Sequence, residues 1–206
     1  MRALVVAVAL ASACGAEAEP EEVAESPITG QEGNFTVTGA ATQLNQYSGL
    51  AAAARDGATP LTVNNIPELA SGAPQGNWGV LAKDDLLMVI QMRGASITST
   101  DNAAYGTLGA LGGAGNYELV TVASIAGNVI TINGGDCGGL RFAYDVTNGR
   151  AQVVRVPQVR DLTINSGASV TPLAWDGTRG GVVALVLAGA EVPMPTCPAA
   201  SITNGV

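Results

Sequence analysis

Histidine is absent from this chain, and lysine occurs once. Without an imidazole, the Ser-His-Asp and Cys-His arrangements that activate a nucleophile are excluded, and a Ser-Lys variant has only Lys83 to offer as base. Lys83-Asp84-Asp85 stands at the mouth of a strongly apolar run, where a solvated turn is its simpler role. Charged residues make up 13% of the 206 positions, and the eight arginines are scattered singly. Nucleic-acid binding needs a clustered basic face to displace counterions from phosphates, so nucleic acid is set aside as a partner. Glycosidase chemistry needs two carboxyls about 5 to 10 Å apart across a sugar. Nothing in the sequence pairs any two of Asp84, Asp85, Asp101, Glu118, Asp136, Asp145, Asp161 and Asp176, and the chain reads as one without catalytic activity. With no histidine and no close cysteine pair, a metal site is poorly supported, and no cofactor is expected.

Long apolar runs are also missing. The longest early one, Ala3 to Ala13, follows Met1-Arg2 and ends in Ala-Ser-Ala-Cys-Gly. A bilayer span takes about 20 apolar residues. A charged start, a short apolar stretch and small residues at its end form a secretory signal. Leu10-Ala11-Ser12-Ala13-Cys14 also resembles a bacterial lipoprotein signal, in which the cysteine becomes the lipidated first residue, although Ala11 stands where leucine is usual. The alternative is ordinary cleavage near Ala16-Glu17-Ala18, which would discard Cys14. These features predict a signal at 1–13, a disordered acidic tether at 14–32 and a single β-rich domain at 33–206. The expected place is the outer membrane or cell surface, through a lipid anchor at Cys14, or free secretion.

The net charge of −8 is concentrated in that tether: Glu17, Glu19, Glu21, Glu22, Glu25 and Glu32 precede residue 33, leaving a nearly neutral body. Three cysteines are an odd number for an exported protein. If Cys14 carries lipid, Cys137 and Cys197 are left as a disulfide pair closing a loop of about 60 residues, worth roughly 4 kcal/mol in the chain-entropy model. Two unpaired thiols are the alternative.

What the body has in quantity is Ala, Val, Leu and Ile with 27 glycines, which suits short strands and tight turns. Strands are predicted at 35–38, 61–63, 85–92, 117–124, 129–133, 140–144, 152–156, 162–165, 169–171 and 181–187. The runs at 86–90 and 182–187 are apolar on both faces and should be central, whereas those around Thr131 and Thr163 alternate and should have one wet face. Asn148-Gly149, Asp176-Gly177, Asn133-Gly134-Gly135 and Gly180-Gly181 supply turns. Only Gln46 to Arg55 offers a helical turn or two. Asp136 among glycines is a weak calcium candidate, lacking the acid spacing of a calcium loop. Trp78 and Trp175 stand out among few aromatics; exposed beside a tyrosine such as Tyr117, either could stack on a sugar ring, and packing is the simpler role of each.

Four stretches together resemble the N-terminal region of large bacterial surface proteins of adhesin or agglutinin type. They are Asp85 to Ala95, Ala114 to Val122, Val153 to Gln158 and Ala174 to Ala184, in that order. The resemblance implies a β-rich stalk or cap that precedes glycine-rich, β-helix-like repeats; no catalytic residue comes with it. The segment from Glu191 to Pro198 departs from the pattern, and the repeats do not follow within the chain. The expected architecture is therefore all-β, a single-stranded right-handed β-helix or an irregular β-sandwich. The expected role is a structural or adhesive surface module whose partner is a surface polysaccharide or another surface protein. The rivals are a carbohydrate-binding module and a β-helical polysaccharide-active enzyme fragment.

Overall fold

The computed structural model describes residues 32–70 and 78–188, the side chain of Asp136 apart. Ten strands follow in chain order: β1 (Asn34–Val37), β2 (Gln46–Gly49), β3 (Pro60–Thr62), β4 (Leu86–Gln91), β5 (Tyr117–Ala126), β6 (Val129–Ile132), β7 (Ala151–Arg155), β8 (Gln158–Val159), β9 (Asp161–Ile164) and β10 (Val186–Leu187). Two short 3₁₀ turns, Ile66–Leu69 and Gly135–Cys137, are the only helical elements among the described residues. The all-β expectation is met.

Six strands form an antiparallel sheet in the order β2-β7-β4-β5-β6-β3. β5 and β6 make a hairpin over Gly127-Asn128, where Gly127 takes a φ of 58° that other residues adopt at a cost. A bulge between Val122 and Ser124 bends β5. Because side chains alternate along a strand, the pairing sorts them onto two faces. One face carries Leu87, Val89, Val120, Val122 and Val153 into the main core with Leu61, Ile130 and Leu140. The other carries Leu86 into a smaller cluster with Val156, just past β7, and Val186 of β10. Both faces of β7 are buried, as is most of β4, so the expectation of a central strand at 86–90 holds. β6 has its predicted wet face.

The second apolar run behaves differently. Only Val186–Leu187 pairs, and residues 179–184 cross β2 and β7 as an irregular strap. Side-chain amides replace the backbone ladder there. Asn45 receives the amide of Ala184 at 2.9 Å, while Gln152 both donates to Gly180 O at 2.8 Å and accepts from its N–H at 2.7 Å. Tyr47 donates its hydroxyl to Val182 O. These bonds, with Gly181 N–H donating to Leu173 O, hold the strap without a neighbouring strand, and Val183 is left exposed. Residues 140–144 and 169–171 likewise contribute isolated bridges, Ala54 with Tyr144 and Thr42 with Val170, in place of full strands.

The helical turn expected at Gln46–Arg55 is absent. Gln46–Gly49 is β2, wholly buried and paired with β7, and Ala51–Ala53 are exposed in a bend. Four alanines bury too little and nucleate too poorly to outweigh a ladder that satisfies the backbone on arrival.

Two pairs of strands are parallel: β1 with β9, and β8 with β10. Glu32 N–H also reaches Gln158 O at 3.2 Å, so the start of the described chain runs alongside β8 and β9. Between β4 and β5 a ribbon at 94–112 projects, laced by backbone hydrogen bonds from Ser96 to Ala110 and from Thr98 to Thr107. It exposes Ile97, Tyr105, Leu108 and Leu111.

Candidate functional site

A shallow pocket of about 330 Å³ opens where β2 ends and β7 begins. Its floor is Leu50, whose N–H donates to Ala151 O at 3.0 Å, with Ala51 beside it. Three segments make its rim.

The first rim loop, 145–150, is built on Asp145. That carboxylate accepts the N–H groups of Thr147, Asn148 and Gly149, each at 3.0 Å. These bonds, led by the one from Thr147, hold the Asp145 carboxyl below the ordinary aspartate range. Gly149 is required: a Cβ there would lie 2.4 Å from the Gln91 side chain and 2.5 Å from Asp145 O. Gln91 is itself buried, accepting from Asp145 N–H and donating to Arg93 O and Gly112 O, all at 2.8 Å. The loop presents Thr147 and Arg150 to the pocket.

The second rim element, 175–180, is an Asp176-Gly177 turn. Asp176 accepts from Thr178 N–H and Arg179 N–H at 2.8 and 2.9 Å, and these bonds, Arg179's first, lower its carboxyl. Arg179 is clamped between Glu68 and Asp176 and also donates to Tyr47 O. Thr178 lines the pocket, and Trp175, 36% exposed, stands three residues before it. The third element is Asn64, whose N–H donates to Gly49 O at 2.9 Å. A Cβ on Gly49 would collide with both Asn64 and Thr178, so this glycine lets two rim elements close over β2.

The aromatic candidates separate. Trp78 is half-buried: its indole N–H donates to Leu44 O at 2.7 Å, and its ring lies 4.9 Å from that of Phe35. Its carbonyl accepts from Arg155, so it is built into the packing. Tyr117 is 57% exposed at the start of β5, opposite Ile90. By strand register it belongs to the sheet face that carries the strap from which Trp175 extends.

Buried charge elsewhere is structural. Arg155 and Asp85 form a buried pair at 2.9 Å. Glu118 accepts from Arg141 N–H, Phe142 N–H and the Tyr144 hydroxyl, which burial and then the Glu118 charge push far up. Cys137 closes a 3₁₀ turn; Cys14 and Cys197 lie outside the described residues. Among the described residues no cluster of three or more His, Cys, Asp or Glu gathers for a metal, and no helix is long and apolar enough to cross a membrane.

Sequence reasoning found the two turns of this rim, Asn148-Gly149 and Asp176-Gly177, and missed that they meet. Asn64, Thr147, Arg150 and Thr178 carried no local signal, because their proximity comes from the pairing of β2 with β7.

No family model matches the chain, and no curated protein matches it. The adhesin or agglutinin resemblance therefore has no family match beside it. Among solved structures, the chain is similar to three phage tailspikes. The Gp54 tailspike of Acinetobacter baumannii bacteriophage AP22, solved with A. baumannii capsular saccharide, is 18% identical over 75% of this chain and 21% of that one, with a TM-score of 0.34. The Pseudomonas phage phi297 tailspike gp61 is 18% identical over 68% and 21%, with a TM-score of 0.33. The gp49 tailspike of Pseudomonas phage LKA1 is 13% identical over 64% and 22%, also with a TM-score of 0.33. The chain spans about a fifth of the length of these tailspikes.

Proposed function

We propose that the chain is an exported polysaccharide-binding module of a bacterial surface, held there through Cys14 and binding glycan at the pocket between β2 and β7 without making or breaking bonds. The observation that carries this reading is the rim itself. A shallow open pocket has an aliphatic floor, a wall of Asn64, Thr147, Thr178 and Arg150, and an exposed tryptophan on the same turn as Thr178. Sugars offer a ring face that is apolar and an edge of hydroxyls, so a stacking ring beside fixed amide and hydroxyl partners is the matching chemistry. Tyr117 on the same sheet face would extend the platform. A wall made of amide, hydroxyl and guanidinium groups supports retention of a glycan more than hydrolysis, which calls for a carboxyl pair.

The parallel pairs support a finer architectural reading. β8 and β10 are parallel neighbours 28 residues apart in sequence, the spacing of one solenoid coil, and β1 lies parallel to β9 on the other side. In this reading, the antiparallel sheet is an elaboration between coils of a β-helical stem.

The test is binding of the full secreted chain to a panel of bacterial capsular and exopolysaccharides, with Trp175→Ala alongside. Retention of at least one polysaccharide, weakened about tenfold or more by the substitution while the unfolding midpoint holds, is the expected result. Binding that ignores Trp175 moves the site elsewhere, and no binding to any member removes the reading.

A further inference from the structure

Arg150 is exposed and lines the pocket. Among the described residues it makes neither an ion pair nor a side-chain hydrogen bond, as is also true of Arg55, Arg93 and Arg141, whereas Arg155, Arg160 and Arg179 are each engaged with a carboxylate; of the four it alone lines the pocket. It is the one charged side chain in the pocket wall. Its backbone φ is 49°, a left-handed conformation that glycine or asparagine adopts more cheaply and that arginine has no intrinsic reason to occupy. The preceding loop leaves no alternative, because three hydrogen bonds to Asp145 and the packed Gly149 fix the chain on one side, and Ala151 N–H donates to Asp145 O at 3.1 Å on the other. Strain of this kind, held by its surroundings at a pocket rim, is a pointer to use.

The surrounding charge sharpens the point. The body from residue 33 onward is nearly neutral, so a lone cation in the pocket is set off by its local position, with no charged neighbour in the lining. A guanidinium presents a planar fork of donors that matches a carboxylate, and gains less from a neutral hydroxyl.

We propose that Arg150 reads a carboxylate, making the pocket selective for acidic saccharides, those containing uronic acids or similar carboxylated sugars. The proposal rests on the glycan-binding reading and adds its specificity. Of the polar residues in the lining, Asn64, Thr147 and Thr178 are left for hydroxyls, and the acid group falls to Arg150.

The experiment pairs each uronic-acid polymer of a panel with its own carboxyl-reduced derivative, which keeps the sugar skeleton and removes the charge. Wild-type protein, Arg150→Gln and Arg150→Gly are compared by affinity electrophoresis and calorimetry at two salt concentrations. The expected result is tighter binding of the acidic form by about tenfold in the wild type, falling with salt, and near-equal binding of both forms by each variant. Arg150→Gly should also raise the unfolding midpoint by about 1–4 °C through release of the left-handed strain, which shows that any lost discrimination is not lost folding. Equal binding of acidic and reduced polymers by the wild type overturns the role of Arg150 and leaves the binding module standing. Binding of neither form, with neutral polysaccharides also failing, overturns both.

Discussion

Arg155 shows how much of this protein hangs on single buried polar side chains. Its guanidinium meets Asp85 at 2.9 Å and donates to Trp78 O at 2.9 Å and Gly79 O at 2.8 Å, joining β7 to the segment before β4. Both side chains of the pair are almost wholly removed from water, and Arg155 Nε has no acceptor. A buried pair is weak as a net stabiliser, yet losing one member leaves the other charged and dry. Asp85→Ala is therefore expected to lower unfolding stability by about 3–5 kcal/mol in urea titration, while Asp84→Ala, at the exposed neighbour, should change it by less than about 0.5 kcal/mol. A small loss at Asp85 would mean that water reaches Arg155. None of this was legible beforehand: Lys83-Asp84-Asp85 reads as a solvated turn, and for Lys83 and Asp84 it is one. The next residue along points inward and finds an arginine 70 positions away, a distance that no local pattern spans.

Among elements, the projecting ribbon at 94–112 is the piece with the most independence. Its root is two glycines whose backbones touch: a Cβ on Gly112, at φ 57°, would lie 2.4 Å from Gly94 O. Gln91 ties the root to the sheet through Gly112 O. Gly112→Ala should open this root at a cost of about 1–3 kcal/mol. Hydrogen exchange should show the amides of Ser96, Thr98 and Gly109 losing protection while those of β4 keep theirs. Loss of protection in both at once would show that ribbon and sheet open as one unit. Elements also divide by how readable they were. β4, β5 and β7 were legible because a buried antiparallel strand writes its environment into a run of branched apolar residues. β2 was not, since Gln-Tyr-Ser-Gly next to alanines carries no such pattern, and its burial comes from the strap and the core that close over it.

At the scale of the whole molecule, long-range parallel pairings tie the early part of the described chain to its late part. β1 lies against β9 across 127 positions, so the N-terminal strand is ordered only when the distant one is in place. The cysteines belong to this scale too. We expect the protein purified from membranes of a bacterial host to have a mass that begins at Cys14 with acyl chains added, and to gain two hydrogens on reduction of a Cys137–Cys197 bridge. Cleavage after Ala18 without lipid would make the protein freely released, and an unchanged mass on reduction would rule out the bridge. If the bridge forms, its removal should destabilise the domain by about 2–4 kcal/mol.

The sequence alone determined that the domain is β-rich, that its turns sit at Asn148-Gly149 and Asp176-Gly177, and that 86–90 is a central strand. These are local consequences of branched side chains and of turn-forming Asn, Asp and Gly, readable within a few positions, although the positive φ of the first turn falls on Arg150 and only that of the second on its glycine. Tertiary structure alone decided that 182–187 is a strap and 46–49 a strand, because side-chain amides at Asn45 and Gln152 satisfy one backbone and the β7 ladder satisfies the other. It also decided that Arg150, Thr178 and Asn64 share a pocket. That meeting depends on which strands pair, and strand pairing is settled by the burial of whole faces rather than by any residue's near neighbours.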